Sequence, residues 1–209
     1  MFNKIALITV MDKESTRFPG KNTYPFLGKM LYRYTVDFAL SLGYDYHLII
    51  SDMYKAIALP RAQQLHVHSL NMARLDVSKK IAMLSLDADI YVLLQVTSPF
   101  RGNDFEYALQ DFKNSYSECA VAVKSIANKY CYVHNDPVNF LQSCRTYDGC
   151  NRSLLRIETG GYYFFRKEQL TKQHILQSTP DKIMLCEDSF NIDIDTIDDL
   201  RNAEKEYSR

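Results

Sequence analysis

The stretch IALITVMDKESTRFPGKN, from Ile5 to Asn22, decides how this chain is read. Ile5, Ala6, Leu7, Ile8 and Val10 make a near-continuous apolar run, as a strand buried on both faces requires. The run opens into a polar loop holding Ser15, Arg17, Pro19, Gly20, Lys21 and Asn22. Open α/β sheets place their ligands where the carboxyl end of a strand meets such a loop. Arg17 and Lys21 suit a polyphosphate, and Pro19 and Gly20 shape a backbone able to approach one. An ordinary βα connection with two solvated cations would look the same in isolation. Neither GxxxxGKS/T nor GxGxxG occurs in this stretch, so it is not a P-loop or a dinucleotide fingerprint.

Outward from the loop, Leu27, Leu31, Tyr34, Phe38 and Leu42 recur at helical spacing, which predicts a helix over Tyr24 to Leu42 with Gly43 as its C-cap. YHLIIS (46–51) predicts a second strand, ending at Ser51 and Asp52. A helix interrupted by Pro60 is expected over Tyr54 to Leu65, then a short strand carrying His66 and His68, a pair with no evident third metal ligand. Asn71 to Asp87 has a loose helical pattern. Ile90 to Leu94 is again continuously apolar and runs into QVTSPFR (95–101). This strand would deliver Gln95, Thr97, Ser98 and Arg101 to the sheet edge that holds the first loop. Gln95 both donates and accepts, which suits sugar hydroxyls or the edges of a base. Thr-Ser-Pro also predicts a turn into a helix over Asn103 to Phe112.

CAVAVK (119–124) is a further buried strand, and the pattern then weakens from Ser125 to Leu155. Arg145, Arg152 and Arg156 in and after that span match carboxylate geometry. Arg156 is preferred because it leads into IETGGYYFF (157–165), a strand entered through Gly160. In FNIDIDTIDDLRNAE (190–204), Asp193 and Asp195 project to one face of an extended segment and Ile192 and Ile194 to the other. Paired carboxylates at a strand end need cations, and Mg²⁺ accepts such hard oxygen ligands. Asp198 and Asp199 belong to the first turn of a final helix.

The chain of 209 residues suits one α/β domain, and its 25 basic and 25 acidic residues argue against a broad nucleic-acid or membrane surface. The N-terminal apolar segment is too short for a secretory signal, and no run is long enough to span a bilayer. Five cysteines without metal-ligand spacing favour reduced thiols in a cytoplasmic protein.

Four of these stretches resemble the acylneuraminate cytidylyltransferases. STRFPGKN (15–22) is similar to that family's S-x-R-x-P-x-K-N, and LLQVTSPFR (93–101) to its LLQPTSPLR. IETGGYYFF resembles x-E-N-G-A-F-Y-I, and the segment from Phe190 to Glu204 resembles s-I-D-I-D-t-e-x-D-L-x-x-A-E. They follow the family's order across nearly the whole chain.

The resemblance implies a Rossmann-like nucleotidyltransferase with a mostly parallel central sheet flanked by helices. It implies a single domain over 1–209, with a small dimerisation excursion at about 125–155 that makes a homodimer. The implied reaction transfers CMP from CTP to a nine-carbon 2-keto sugar acid, of sialic, legionaminic or pseudaminic type, in polysaccharide or glycan biosynthesis. Carried over residue by residue, Lys21, Arg17 and Asp195 would be catalytic. Ser15, Arg17, Lys21, Asn22, Ser51 and Asp52 would bind the nucleotide. Gln95, Thr97, Ser98, Arg156 and Gly160 would bind the sugar, and Asp193 and Asp195 would hold Mg²⁺. Two departures stand out. Asp12 occupies the place of a family arginine, beside Lys13 and Glu14, and Thr159 replaces an asparagine. A CMP-Kdo synthetase or another sugar nucleotidyltransferase shares the implied fold, and a catalytically degenerate binding or scaffolding relative would keep it too.

Overall fold

The computed structural model describes residues 4–11, 15, 17–51, 65–68, 85–102, 104–126, 131–132, 142–143, 155–172, 178–188 and 192–208. In chain order the strands and helices are β1 (Ile5–Met11), β2 (Pro25–Phe26), β3 (Lys29–Met30), α1 (Leu31–Ser41), β4 (Tyr46–Ser51), β5 (Leu65–His68) and β6 (Ile90–Gln95). They continue with α2 (Asp104–Asn114), β7 (Cys119–Ile126), β8 (Cys131–Tyr132), β9 (Gln142–Ser143), β10 (Leu155–Arg166), β11 (Ile183–Glu187) and α3 (Ile197–Tyr207). Seven strands form one sheet in the order β11-β7-β10-β6-β1-β4-β5. All run parallel except β10, which lies antiparallel between β6 and β7. The apolar runs form the buried strands they predict, in the mostly parallel sheet that the resemblance implies.

β1 is central because its residues tolerate burial on both sides. Ile5 to Ile8 are at most 2% exposed, with β6 on one edge and β4 on the other. Apolar residues cover both faces of the sheet. Ile8, Leu48, Ile50, Tyr91, Phe165 and Leu170 belong to the cluster on one face. On the other, α2 sets Phe105, Leu109 and Phe112 against Leu7, Val92, Leu94, Tyr162 and Phe164. A second cluster on that same face joins Met11, Phe18, Phe26, Leu31, Val36, Val96, Ile194, Leu200 and Ala203. That second cluster ties the first loop, α1, the turn after β6 and the last helix into one unit beneath the candidate site.

The helix expected over Tyr24 to Leu42 begins late. Residues 25–30 form the β2–β3 hairpin instead, turning at Leu27 and Gly28 with φ of +43° and +89°. Pro25 and Gly28 disfavour helix here, and burial of Phe26 with the Tyr34 hydroxyl on its carbonyl holds the hairpin. The fully buried side of α1 is Leu31, Tyr32, Thr35, Val36 and Ala39, with Tyr34 and Phe38 flanking it. Gly43 ends the helix at φ +64°, as its position predicts.

β4 and β6 match their predicted stretches, β6 running one residue further, and His66 and His68 lie on the short strand β5. The helices expected over 54–65 and 71–87 fall largely outside the described residues. Of the excursion at 125–155, the ends of β7 and β10 and the antiparallel pair β8–β9 are described. Arg145 and Arg152 lie outside the described residues. Cys119 and Cys186 are buried free thiols, and no described helix is long and apolar enough to cross a membrane.

Candidate active site

The site forms along the carboxyl edge of β1, β4 and β6. After β1, the Ser15 hydroxyl accepts from Phe18 N at 3.3 Å, and Lys21 N closes a turn onto Phe18 O at 3.1 Å. Gly20 carries φ +72°, the left-handed conformation that glycine adopts without strain. A single 3₁₀ turn, Lys21–Thr23, follows. This folding buries Lys21 and leaves Arg17 exposed, with Asn22 half-buried beside them.

Both cations meet one carboxylate from the far end of the chain. Lys21 Nζ lies 2.9 Å from Asp195 Oδ1, and Arg17 Nη1 lies 2.6 Å from Asp195 Oδ2. Asp195 is held in place by its neighbours on both sides. Ile194 is fully buried, worth about 2 kcal/mol, and its N–H donates to Thr97 O at 2.8 Å. Thr196 and Asp199 then form a reciprocal capping box at the start of α3. The burial of Ile194 turns Asp193 and Asp195 outward, as the alternation predicts. The surrounding protein raises the Asp193 carboxyl above the ordinary aspartate value, with the charge of Asp195 adding to this. A hydrogen bond from Thr97 and the charges of Lys21 and Arg17 oppose it.

Gln95 ends β6 one turn away. Its Nε2 donates to the Tyr163 hydroxyl at 3.2 Å, and its Oε1 lies 3.4 Å from Thr97 Oγ1. Tyr163 in turn donates to Glu158 Oε1. Gly160, at φ +71°, lies where the β7–β10 register shifts, and a Cβ there would stand 2.9 Å from Gln95 Oε1. Ser98 is buried beside it, and its Oγ has no hydrogen-bond partner among the described residues. Ser51 is buried at the end of β4, in register with Met11 at the start of the first loop.

One polar line therefore runs from Glu158 through Tyr163, Gln95, Thr97 and Asp193 to Asp195, Lys21 and Arg17. Arg156 stands apart from it. Its Nε is 3.8 Å from Glu187 Oε1 on β11, across β7 from the rest of the line. Asp52 lies outside the described residues. Arg101, expected at the ligand edge, turns inward instead. It donates to Gly161 O at 2.9 Å, Thr35 Oγ1 at 3.2 Å and Gln95 O at 2.6 Å. Burial pulls its pKa down to about 9, against the opposing charge of Asp188, and it braces the turn after β6. Sequence reasoning passed over Tyr163 as one aromatic among several in β10. The signal for it was Gln95, a half-buried amide at a strand end that needs a partner.

No known protein family's sequence profile matches the chain, and no curated protein matches it. Solved structures do. CMP:2-keto-3-deoxy-manno-octonic acid synthetase complexed with CTP matches with a TM-score of 0.70 at 18% identity, over 98% of each chain. The 4-diphosphocytidyl-2C-methyl-D-erythritol synthase of Anaerococcus prevotii matches with 0.72 at 13% identity, over 99% of each chain. The 2-C-methyl-D-erythritol 4-phosphate cytidylyltransferase of Francisella tularensis matches with 0.65 at 16% identity, over 97% of this chain and 99% of that one. The chain thus has the Rossmann-like fold of these nucleotidyltransferases along essentially its whole length.

Proposed function

We propose that the chain is a CTP-dependent cytidylyltransferase that activates a 2-keto sugar acid and releases pyrophosphate. The observation that carries this is the meeting of Lys21, Arg17 and Asp195 on the sheet edge that also presents Gln95. Lys21 and Arg17 exchange Asp195 for the triphosphate of CTP, so that phosphate charge replaces carboxylate charge between the same two cations. Ser15 and Asn22 shape the loop that carries them, and Ser51 and Asp52 border the nucleotide. Gln95, Thr97, Ser98 and Gly160 orient the sugar acid, with Arg156 at its outer reach. The anomeric oxygen attacks the α-phosphorus, the bond to the bridging β-oxygen breaks, and the hydroxyl proton leaves to solvent or phosphate.

Asp193 and Asp195 fit a hard divalent cation. They are two outward-facing carboxylates whose charges bear on one another, and among the described residues no third His, Cys, Asp or Glu joins them. Mg²⁺ held there would withdraw charge from the α-phosphate. Asp193 and Asp195 would hold it, and Thr97 orients Asp193 through a hydrogen bond. The resemblance implies that the excursion at about 125–155 makes a homodimer contact, and light scattering tests whether the protein is a dimer.

The motif resemblance favours a nine-carbon acid of sialic, legionaminic or pseudaminic type. The likeness to CMP:2-keto-3-deoxy-manno-octonic acid synthetase, at 98% coverage, favours the eight-carbon acid as the second reading. Pyrophosphate release with CTP, Mg²⁺ and a panel of both acid types separates them. Release with one acid establishes the reaction and its substrate. Absence of CTP binding, measured by calorimetry, would overturn the proposal in favour of a degenerate relative, with Asp12, which lies outside the described residues, as the departure in sequence that explains it.

A further inference from the structure

Gln95 is the asymmetric member of the polar line, since its Oε1 only accepts and its Nε2 only donates. What orients it lies on β10. Tyr163 is buried in the sheet at 7% exposure, with its hydroxyl 3.2 Å from Gln95 Nε2. That hydroxyl donates its one proton to Glu158. With its one proton on Glu158, the phenolic oxygen can only accept from Gln95. The amide nitrogen must therefore face Tyr163. Oε1 faces the other way, toward Gly160, where an added Cβ would stand 2.9 Å from it. Thr97 Oγ1 donates to Oε1 at a long 3.4 Å, and Thr97 has one proton to divide between Gln95 and Asp193. Among the described residues, Gln95 Oε1 has this one long donor.

We infer that the Glu158–Tyr163 pair is a positioning device that fixes Gln95 as an acceptor toward the site, so that the substrate group read there is a hydrogen-bond donor. A sugar hydroxyl or an amide N–H fits. A carboxylate does not, because it would set oxygen against oxygen, so the acid group of the sugar is read elsewhere. The inference rests on Gln95 facing the sugar acid, as proposed above. Neither Glu158 nor Tyr163 touches the reacting atoms; both act through the amide.

The test has two arms on the full chain. The first needs no substrate. In the ligand-free protein, labelled at glutamine side chains, the Gln95 NH₂ protons should show nuclear Overhauser contacts to the Tyr163 ring. Glu158→Gln keeps an acceptor for the phenol and should preserve them. Glu158→Leu frees the phenol proton to turn toward Gln95, the amide inverts and the contacts disappear. Their absence from the unmodified protein, or their survival in Glu158→Leu, overturns the inference. Glu158 is exposed, so neither variant opens the core.

The second arm uses CTP and whichever acid of the panel is turned over. Tyr163→Phe and Glu158→Leu should raise KM for the acid about tenfold, the scale of one hydrogen bond, with KM for CTP unchanged. Glu158→Gln should stay near the unmodified value. Equal effects of Glu158→Gln and Glu158→Leu, or a change confined to CTP, overturn the inference. Failure of every acid to react counts against the proposed reaction, and the first arm alone then decides the role of the pair.

Discussion

Two carboxylates at opposite ends of the sheet are each clasped between two cations, and they do different things. At the carboxyl edge, Asp195 meets Lys21 and Arg17. At the other edge, just before β7, Glu118 meets Lys172 and Lys182, each at 2.7 Å. Glu118 also accepts from Ser178 at 2.7 Å and Gln169 at 3.0 Å. Its oxygens are thus saturated by protein donors, and its pKa is held far below the ordinary value by the hydrogen bonds from Lys172, Lys182 and Ser178. This cluster fastens the segment after β10 and the start of β11 to the base of β7. Among the described residues, the Asp195 side chain pairs with these two cations, with a second carboxylate two residues away and Gln95 on the same edge. An ion cluster marks a site when its partners can be exchanged for a ligand. When the protein satisfies every oxygen, it marks a clamp.

The largest way to break this contrast is to remove the two acids in turn. Asp195→Ala should lower pyrophosphate release about a thousandfold, or about 4 kcal/mol in transition-state stabilisation, with little change in melting temperature. Activity within tenfold of the unmodified protein would place the chemistry elsewhere. A probe belonging to neither end comes next. His47 is buried on β4 with Nε2 3.0 Å from Thr9 Oγ1, and burial lowers its pKa to about 4 from 6.5. Between those values the unfolded chain binds the extra proton, so stability falls as pH drops through the window, by about 3 kcal/mol at its lower end. His47→Gln should flatten that part of a denaturation-against-pH curve, and an unchanged slope would show that His47 does not carry it.

Gly160→Ala sharpens the site side of the comparison. Alanine at φ +71° is strained by about 1 kcal/mol, and its Cβ must displace Gln95 Oε1 from 2.9 Å. The expected result is a raised KM for the sugar acid with KM for CTP intact, and an unaltered sugar KM would disconnect Gly160 from substrate. Glu118→Gln should be mildest for catalysis. Turnover should be unchanged while the melting temperature drops at neutral pH. Glu118 stabilises the fold above pH 4.5 and loses its effect as pH falls through its depressed folded value, so the difference between variant and unmodified protein should shrink in acid. A loss of turnover without a loss of stability would make the clamp part of the site.

Much of the architecture was legible from local pattern. The near-continuous apolar runs of β1, β4 and β6 are strands because both of their faces are covered, and the polar Thr9 and His47 within them are buried as a bonded pair. Gly43 marks the end of α1, and Asp198 and Asp199 fall in the first turn of α3. The hairpin at 25–30 was hidden because Leu27 keeps helical spacing with Leu31, while Phe26, one position earlier, is the side chain the core takes up. Arg101 was misplaced for a similar reason. An arginine just past a strand end reads as facing the ligand edge, and only the closeness of Gln95 O and Gly161 O makes an inward direction the better one for it.

By itself the sequence determined the parallel α/β sheet, the polar loop after its first strand and the outward pairing of Asp193 with Asp195. Each follows from periodicity or from alternation within one segment. Tertiary structure decided that Lys21 and Asp195, 174 positions apart, form one ion pair, that Arg101 braces rather than binds, and that the amide of Gln95 has a fixed polarity. Those outcomes depend on which distant donor or acceptor arrives at a side chain, and that is set by how the strands are ordered in the sheet.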